Sequence, residues 1–289
     1  MSHLHIVTDS AASFSHPRVM EQYPLSILPV KLNIGGQHYR EGIDLDAGEI
    51  MRLIAGQSHP PELVIPSIEE YEIVFARLSK AGKEIISLHP SREFSDSWYH
   101  GREAARQVDG NIAVIDTHNI CAGQGMLVRV AGEAALAKMD FQAAVNKVRA
   151  AVERVFSTYY VEKMDYLVHE NLMTESRMLL GTFLKIKPFL SIEEGKLQVT
   201  AKVRTRAGAT ERLMEFLTEF DKLDDATIVQ HRSHITEQTR TLQDRLSDAF
   251  PGRHFPYSMY NASMAAMIGA TGTGVAVLES EHSGFGDGI

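Results

Sequence analysis

Four short apolar runs rich in β-branched residues punctuate the first half of the chain: residues 4–7, 26–32, 84–88 and 111–115. Their length and composition predict buried strands rather than helices. Between and after them, residues 46–55, 67–81, 96–108 and 122–138 carry apolar positions at helical spacing. Ser67 followed by Glu70 has the spacing of a capping box and fixes the start of the second of these helices. Strands alternating with helices in this order predict a mostly parallel, doubly wound sheet. Beyond residue 150 the order is less regular, with helical patterns at 175–185, 210–220 and 236–250 and strand-like runs at 196–203, 227–230 and 275–278. The pattern as a whole predicts an α/β protein of two domains. The first, residues 1–155, is built on the parallel sheet, and the second, residues 156–289, is a smaller mixed α/β domain. The glycine-containing tail from 280 to 289 reads as loose.

Composition changes this picture little. The chain of 289 residues is 44% hydrophobic and 23% charged, an ordinary globular mixture. A formal net charge of −8 offers no general attraction to nucleic acid or to an anionic membrane. A single cysteine, Cys121, excludes an internal disulfide and a multi-cysteine metal site. No basic segment followed by an apolar run opens the chain, and no uncharged apolar stretch reaches the roughly 20 residues of a membrane span. A soluble, cytoplasmic protein is expected.

Candidate chemistry is sparse. There are 13 histidines, but few at ligand spacing: His231 and His234 are three apart with no carboxylate or cysteine nearby to complete a set, and His3 and His5 alternate on a predicted strand. Neither a metal nor another cofactor is implied. His89 directly follows a predicted strand, where open α/β sheets bind ligands. Cys121 stands at a predicted helix start, where the dipole favours a thiolate, although a cysteine there is more often a small buried residue. Gly269, Gly272 and Gly274 precede a strand rather than a helix, which excludes the dinucleotide fingerprint and leaves a turn or an anion cradle. Gly123 and Gly125 fall inside a helical pattern at a cost of about 1 kcal/mol each, so close packing must compensate. Serines and an arginine gather at predicted strand ends: Ser10 after the first strand, and Ser91, Arg92 and Ser95 after the third. Arg92 offers a fork of donors suited to a carboxylate, and Ser95 is placed to cap the following helix.

These residues resemble the DegV family of bacterial fatty-acid-binding proteins. Ile6-Val-Thr-Asp-Ser10 is similar to the family's first-strand signature. Pro24-Leu25, Gly36, Tyr39 and Gly42-Ile-Asp44 follow in the family's order, as does Pro66-Ser67 from the end of its Thr-Ser-Gln-Pro-Ser motif. Phe94-Ser-Asp-Ser-Trp98 resembles Leu-Ser-Gly-Thr-Tyr, and Val114-Ile-Asp116 and Cys121-Ala-Gly-Gln-Gly125 match the next strand and helix start. Leu184-Lys-Ile-Lys-Pro188, Gly195, Val203-Arg204-Thr205 and Gly272-Thr-Gly274 continue the match into the second domain. The resemblance implies a non-enzymatic protein that holds one long-chain fatty acid, or a similar lipid, in a buried apolar tunnel. It also implies a partner, a fatty acid kinase to which the acyl carboxylate is presented.

The departures concentrate at the head-group site. Leu63, Val64 and Ile65 occupy the first three positions of Thr-Ser-Gln-Pro-Ser, and Ser91 and Arg92 those of the family's paired serines. Glu170-Asn171-Leu172-Met173 replaces a turn that carries an arginine, and Ala270, next to Thr271, replaces a histidine. The resemblance thus assigns lipid binding to Ser10, Leu63, Val64, Ser91, Arg92, Ser95, Ala270 and Thr271. Arg92, assisted by Ser91 and Thr271, is expected to take over the carboxylate, since a buried carboxylate without donors is expensive. A less charged lipid is the competing ligand. The competing functions are an enzyme or phosphotransfer subunit, the fold being related to a dihydroxyacetone kinase domain, and a protein-interaction module that has lost its ligand.

Overall fold

Four short parallel strands, β1 (Leu4–Asp9), β2 (Leu25–Leu28), β6 (Glu84–His89) and β7 (Ile112–Asp116), form the first sheet in the order β2-β1-β6-β7. The structure, a computed structural model, describes residues 3–16, 18–57, 59–162, 164–169, 178, 182 and 184–281. Strand periodicity sends alternate side chains to opposite faces. Leu4, Ile6, Ile86 and Leu88 join one apolar cluster, while Val7 and Ile85 join another with Tyr71, Phe75 and Ala104. Helices α3 (Ile68–Lys80) and α4 (Ser97–Gln107) cover the second of these faces, and α5 (Ala122–Leu136) covers the first. The parallel sheet is therefore wound on both sides. Ser67 caps α3 through the reciprocal pair with Glu70, and Asp46 does the same with Glu49 for α2 (Ala47–Ala55).

One predicted strand divides in two. The run from 26 to 32 contains Pro29, which has no N–H for a ladder, and the chain breaks there into β2 and β3 (Lys31–Ile34). With β4 (Gln37–Arg40) and β5 (Glu62–Val64), β3 makes a separate antiparallel sheet of order β4-β3-β5.

The second domain carries six strands in the order β10-β9-β8-β13-β11-β12. They are β8 (Val155–Val161), β9 (Lys187–Glu193), β10 (Lys196–Val203), β11 (Leu223–Gln230), β12 (Tyr257–Met259) and β13 (Gly272–Glu279). Only the β11–β12 pairing is parallel, so the sheet is mixed. The helices Arg206–Thr218 and Glu237–Ala249 pack on it with a core of their own, including Leu213, Leu217, Leu242 and Leu246. No helix among the described residues is long and apolar enough to cross a membrane.

Helix α5 is packed between the two sheets, touching β1 and β6 on one side and β8, β11 and β13 on the other. Twelve of its 15 residues are buried. A helix buried almost all round needs small residues where neighbours press closest. A Cβ on Gly125 would lie 2.0 Å from the carbonyl oxygen of Ser13, and one on Gly132 would lie 2.4 Å from the ring of Tyr23. The close packing anticipated for the glycines of this helix is thus with neighbouring parts of the same chain. A second wedge, the helix Ala262–Ile268, belongs to the second domain by sequence but packs against α2, α7 (Asp165–His169) and β5.

Candidate functional site

A cavity of about 600 Å³ opens where β1 and β6 end, at the carboxyl edge of the parallel sheet. This is where α/β sheets of this kind bind ligands, and the volume lies within the roughly 300–1,000 Å³ of small-molecule sites. One side of its wall is apolar, where Val30, Leu63, Ile65, Ile120, Ala266 and Met267 face it. The loop after β6 supplies its polar side, with Arg92, Glu93, Ser95 and Asp96, and Ser263 adds a hydroxyl from the helix Ala262–Ile268. Arg92, Glu93 and Asp96 are exposed, so the charged groups form the mouth.

Asp9 lies beneath, at the end of β1. Its carboxylate accepts from the Ser97 and Tyr71 hydroxyls, the Gln124 amide and the backbone N–H of Ala11. Burial pushes this carboxyl up, and the same hydrogen bonds, led by Ser97 and Gln124, pull it down. His89 is part of the network and does not face the cleft. Its Nδ1 meets Ser97 Oγ at 3.1 Å and its Nε2 meets Ser87 Oγ at 2.8 Å. It is wholly buried against Gly101, where a Cβ would come within 2.6 Å of the ring, and burial lowers its pKa to about 3. A neutral imidazole saturated by two hydroxyls is a packing group.

Of the residues assigned to lipid binding, Leu63, Arg92 and Ser95 line this cavity together. Ser95 Oγ accepts the backbone N–H of Ser97, the first residue of α4, at 3.2 Å, which leaves its proton for a ligand. The Arg92 side chain is half exposed, and its Nε lies 3.7 Å from Asp116 Oδ2.

The other five are placed elsewhere, each for a local reason. Val64 alternates with Leu63 on β5 and turns to solvent, 49% exposed. Ser91 is buried and donates to the carbonyl of Gly195 at 2.8 Å, where the hairpin between β9 and β10 docks on the first domain. Gly195 has φ +79°, and a Cβ there would meet Ser91 Oγ at 2.6 Å. Ser10 donates to Glu41 Oε2 at 2.7 Å and accepts from the N–H of Val30 at 2.9 Å, facing a separate 270 Å³ cavity. Ala270 and Thr271 line a third cavity beside Arg52, and Thr271 Oγ1 is buried without a hydrogen-bond partner. The segment 170–173 lies outside the described residues.

The remaining candidates have structural explanations. Cys121 does stand at the start of α5, with φ +58°, but it is wholly buried and burial raises its pKa to about 11. Gly272 and Gly274 lie within β13, where they make room for Tyr160 and Tyr159 of the neighbouring strand, so neither the turn nor the anion cradle describes them. His231 donates from Nδ1 to the carbonyl of Gly272 at 3.1 Å. What the sequence reading missed is the helix Ala262–Ile268, which closes the cavity with Ser263, Ala266 and Met267. Its signal is the Asn261 cap followed by a run of alanine and methionine.

Comparison with known proteins agrees with this arrangement. The family model described as "Uncharacterised protein, DegV family" matches residues 3–280. A DegV domain-containing protein of Streptomyces coelicolor is 28% identical over 275 residues, covering 94% of this chain and 96% of the relative. The crystal structure of the fatty acid binding DegV family protein of Streptococcus agalactiae superposes with a TM-score of 0.85 at 25% identity, over 96% of this chain and 99% of that one. The DegV family protein of Thermus thermophilus, also described as binding fatty acid, shares the fold with a TM-score of 0.84 at 21% identity, over 97% and 100% of the two chains. With the family model matching nearly the whole chain, and the parallel and mixed sheets shared with solved DegV structures, the chain belongs to the DegV family.

Proposed function

We propose that this protein carries a long-chain fatty acid, or a lipid of similar shape, in the cavity at the carboxyl edge of the first sheet. The observation that carries this reading is the combination of an apolar wall, drawn from both domains, with one arginine and two serine hydroxyls near the mouth. Burying ten methylenes at about 0.8 kcal/mol each supplies about 8 kcal/mol, which offsets the cost of immobilising the ligand without any covalent step. Arg92 takes the carboxylate by a charge-assisted bond, with Ser95 and Ser263 as further donors. The Streptococcus agalactiae relative, 25% identical over nearly the whole chain, is described as fatty acid binding, which supports the same assignment here.

The reading is of a carrier rather than an enzyme. Asp9, the acid nearest the cavity floor, already accepts four hydrogen bonds, and the Cys121 thiol is held protonated away from the cavity. Because the proposed head-group partner is half exposed, the carboxylate would stay within reach of a separate acyl kinase. Mass spectrometry of lipid extracted from the denatured, purified protein tests the proposal. Close to one equivalent of fatty acid is expected, and protein free of any acyl lipid overturns it.

One observation favours a second ligand. Among the described residues, three carboxylates, Asp9, Glu93 and Asp96, line the same cavity as one arginine, Arg92. That balance suits a neutral lipid better than an acid. Extraction separates the two readings by the class of lipid recovered.

A further inference from the structure

Arg92 belongs to two cavities at once. It lines the proposed lipid cavity, and it lines the 880 Å³ cleft at the seam between the domains, together with Asp116, His118 and the β9–β10 hairpin. Asp116 ends β7 and is 11% exposed. Its Oδ1 accepts the backbone N–H of His118 at 2.9 Å. Among the described residues its Oδ2 makes no hydrogen bond and has two loose ionic neighbours, Arg92 Nε at 3.7 Å and His118 Nε2 at 3.8 Å. A nearly buried carboxylate with one oxygen unsatisfied draws strongly on a nearby cation. The chain therefore contains its own anion competing for the guanidinium that the lipid carboxylate would use.

We infer that Asp116 sets the head-group preference of the lipid cavity by competing for Arg92. Resting on the lipid-carrier reading, this gives Asp116 a positioning role that the binding of an acid must overcome. When an acid binds, Arg92 turns toward the cavity and Asp116 loses its main counter-charge. When the acid leaves, Asp116 draws the guanidinium back. The arrangement lowers affinity for anionic heads while leaving neutral heads untouched, which favours release of a carried acid. Ser91, adjacent to Arg92, is pinned to Gly195 across the seam, so the backbone at this point is fixed and the arginine side chain is the part that turns.

Affinities of wild type, D116N, R92A and the double variant for palmitate and for hexadecanol, measured by titration on delipidated protein, test the inference. At 3.7 Å, and with the Arg92 side chain half exposed, the pair is too loose to shift binding by more than a few-fold. D116N should therefore bind palmitate about 2- to 5-fold more tightly than wild type. Hexadecanol affinity should stay the same, and D116N should add nothing in the R92A background. Equal or weaker palmitate binding by D116N overturns the inference. So does a parallel change for both ligands, which would mark Asp116 as merely structural. Failure of wild type to bind either ligand would instead overturn the carrier reading, and the two failures are distinct.

Discussion

Glu41 offers a quantitative check on how the two domains are joined. It is buried at the seam, where its carboxylate accepts the Ser10 hydroxyl at 2.7 Å and the backbone N–H of Ala262 at 2.6 Å. Ala262 is the first residue of the helix that closes the cavity at the edge of the first sheet. Burial raises the pKa of Glu41 from 4.5 to about 7; its two hydrogen bonds oppose the rise and nearby Asp9 adds to it. A carboxyl raised on folding stabilises fully below its unfolded value, and that contribution is lost as pH rises through the folded value. At about 1.4 kcal/mol per pH unit, the loss between pH 5 and pH 8 is about 2.5 kcal/mol. E41Q keeps the shape and an acceptor for Ala262 but cannot ionise. Urea unfolding of both proteins, followed by circular dichroism from pH 5 to pH 8, should show E41Q gaining on wild type by about that amount. A difference that stays constant across the range would refute the claim that Glu41 is ionised at a cost in the folded seam.

Three further outcomes follow from the same structure. G125A should destabilise by about 1–3 kcal/mol in the same unfolding assay, since its methyl would collide with the Ser13 carbonyl; a gain, as at an exposed helical glycine, would contradict the packing described for α5. Cys121, buried with its thiol raised to about 11, should resist iodoacetamide at pH 8 in the folded protein and react promptly in urea, with fast native labelling as the contrary result. His89, lowered from 6.5 to about 3 by burial, stabilises fully above pH 6.5 and progressively less as pH falls. Wild type should therefore lose about 2 kcal/mol relative to H89Q between pH 6.5 and pH 4.5, and parallel pH profiles would show that His89 protonates freely in the fold.

Most of the framework was legible because local signals agreed with the fold. Asp46 and Ser67 begin their helices where the capping residues stand, and three of the four strands predicted in the first domain appear as single β1, β6 and β7. Pro29 carried enough information to divide the fourth, but the apolar run across it hid the break. The helix Ala262–Ile268 was illegible for a different reason. It is buried on nearly every side, so it shows no polar stripe to set its period. β8, Val155–Val161, is rich in β-branched and aromatic residues but lies at the centre of its sheet, without the alternation that marks a half-buried strand.

The site was legible by segment and less so by residue. The loop 91–96 and the segment 63–65 both reach the cavity. Within each, neighbours part company: Leu63 turns in and Val64 out, and Arg92 reaches the cavity as well as the seam while Ser91 reaches the seam alone. Such choices depend on strand parity and on where the second domain docks, which motif alignment does not carry. Ser10 was assigned by its place at a strand end, yet its hydroxyl is committed to Glu41.

The most direct test of the central claim is a crystal structure of the protein with a fatty acid brominated at its terminal carbon. The anomalous signal of the bromine should lie against the apolar wall formed by Leu63, Ile65 and Met267, with the carboxylate at Arg92 and Ser95. Bromine in the cavity beside Ser10, or none within the protein at full loading, would contradict the account.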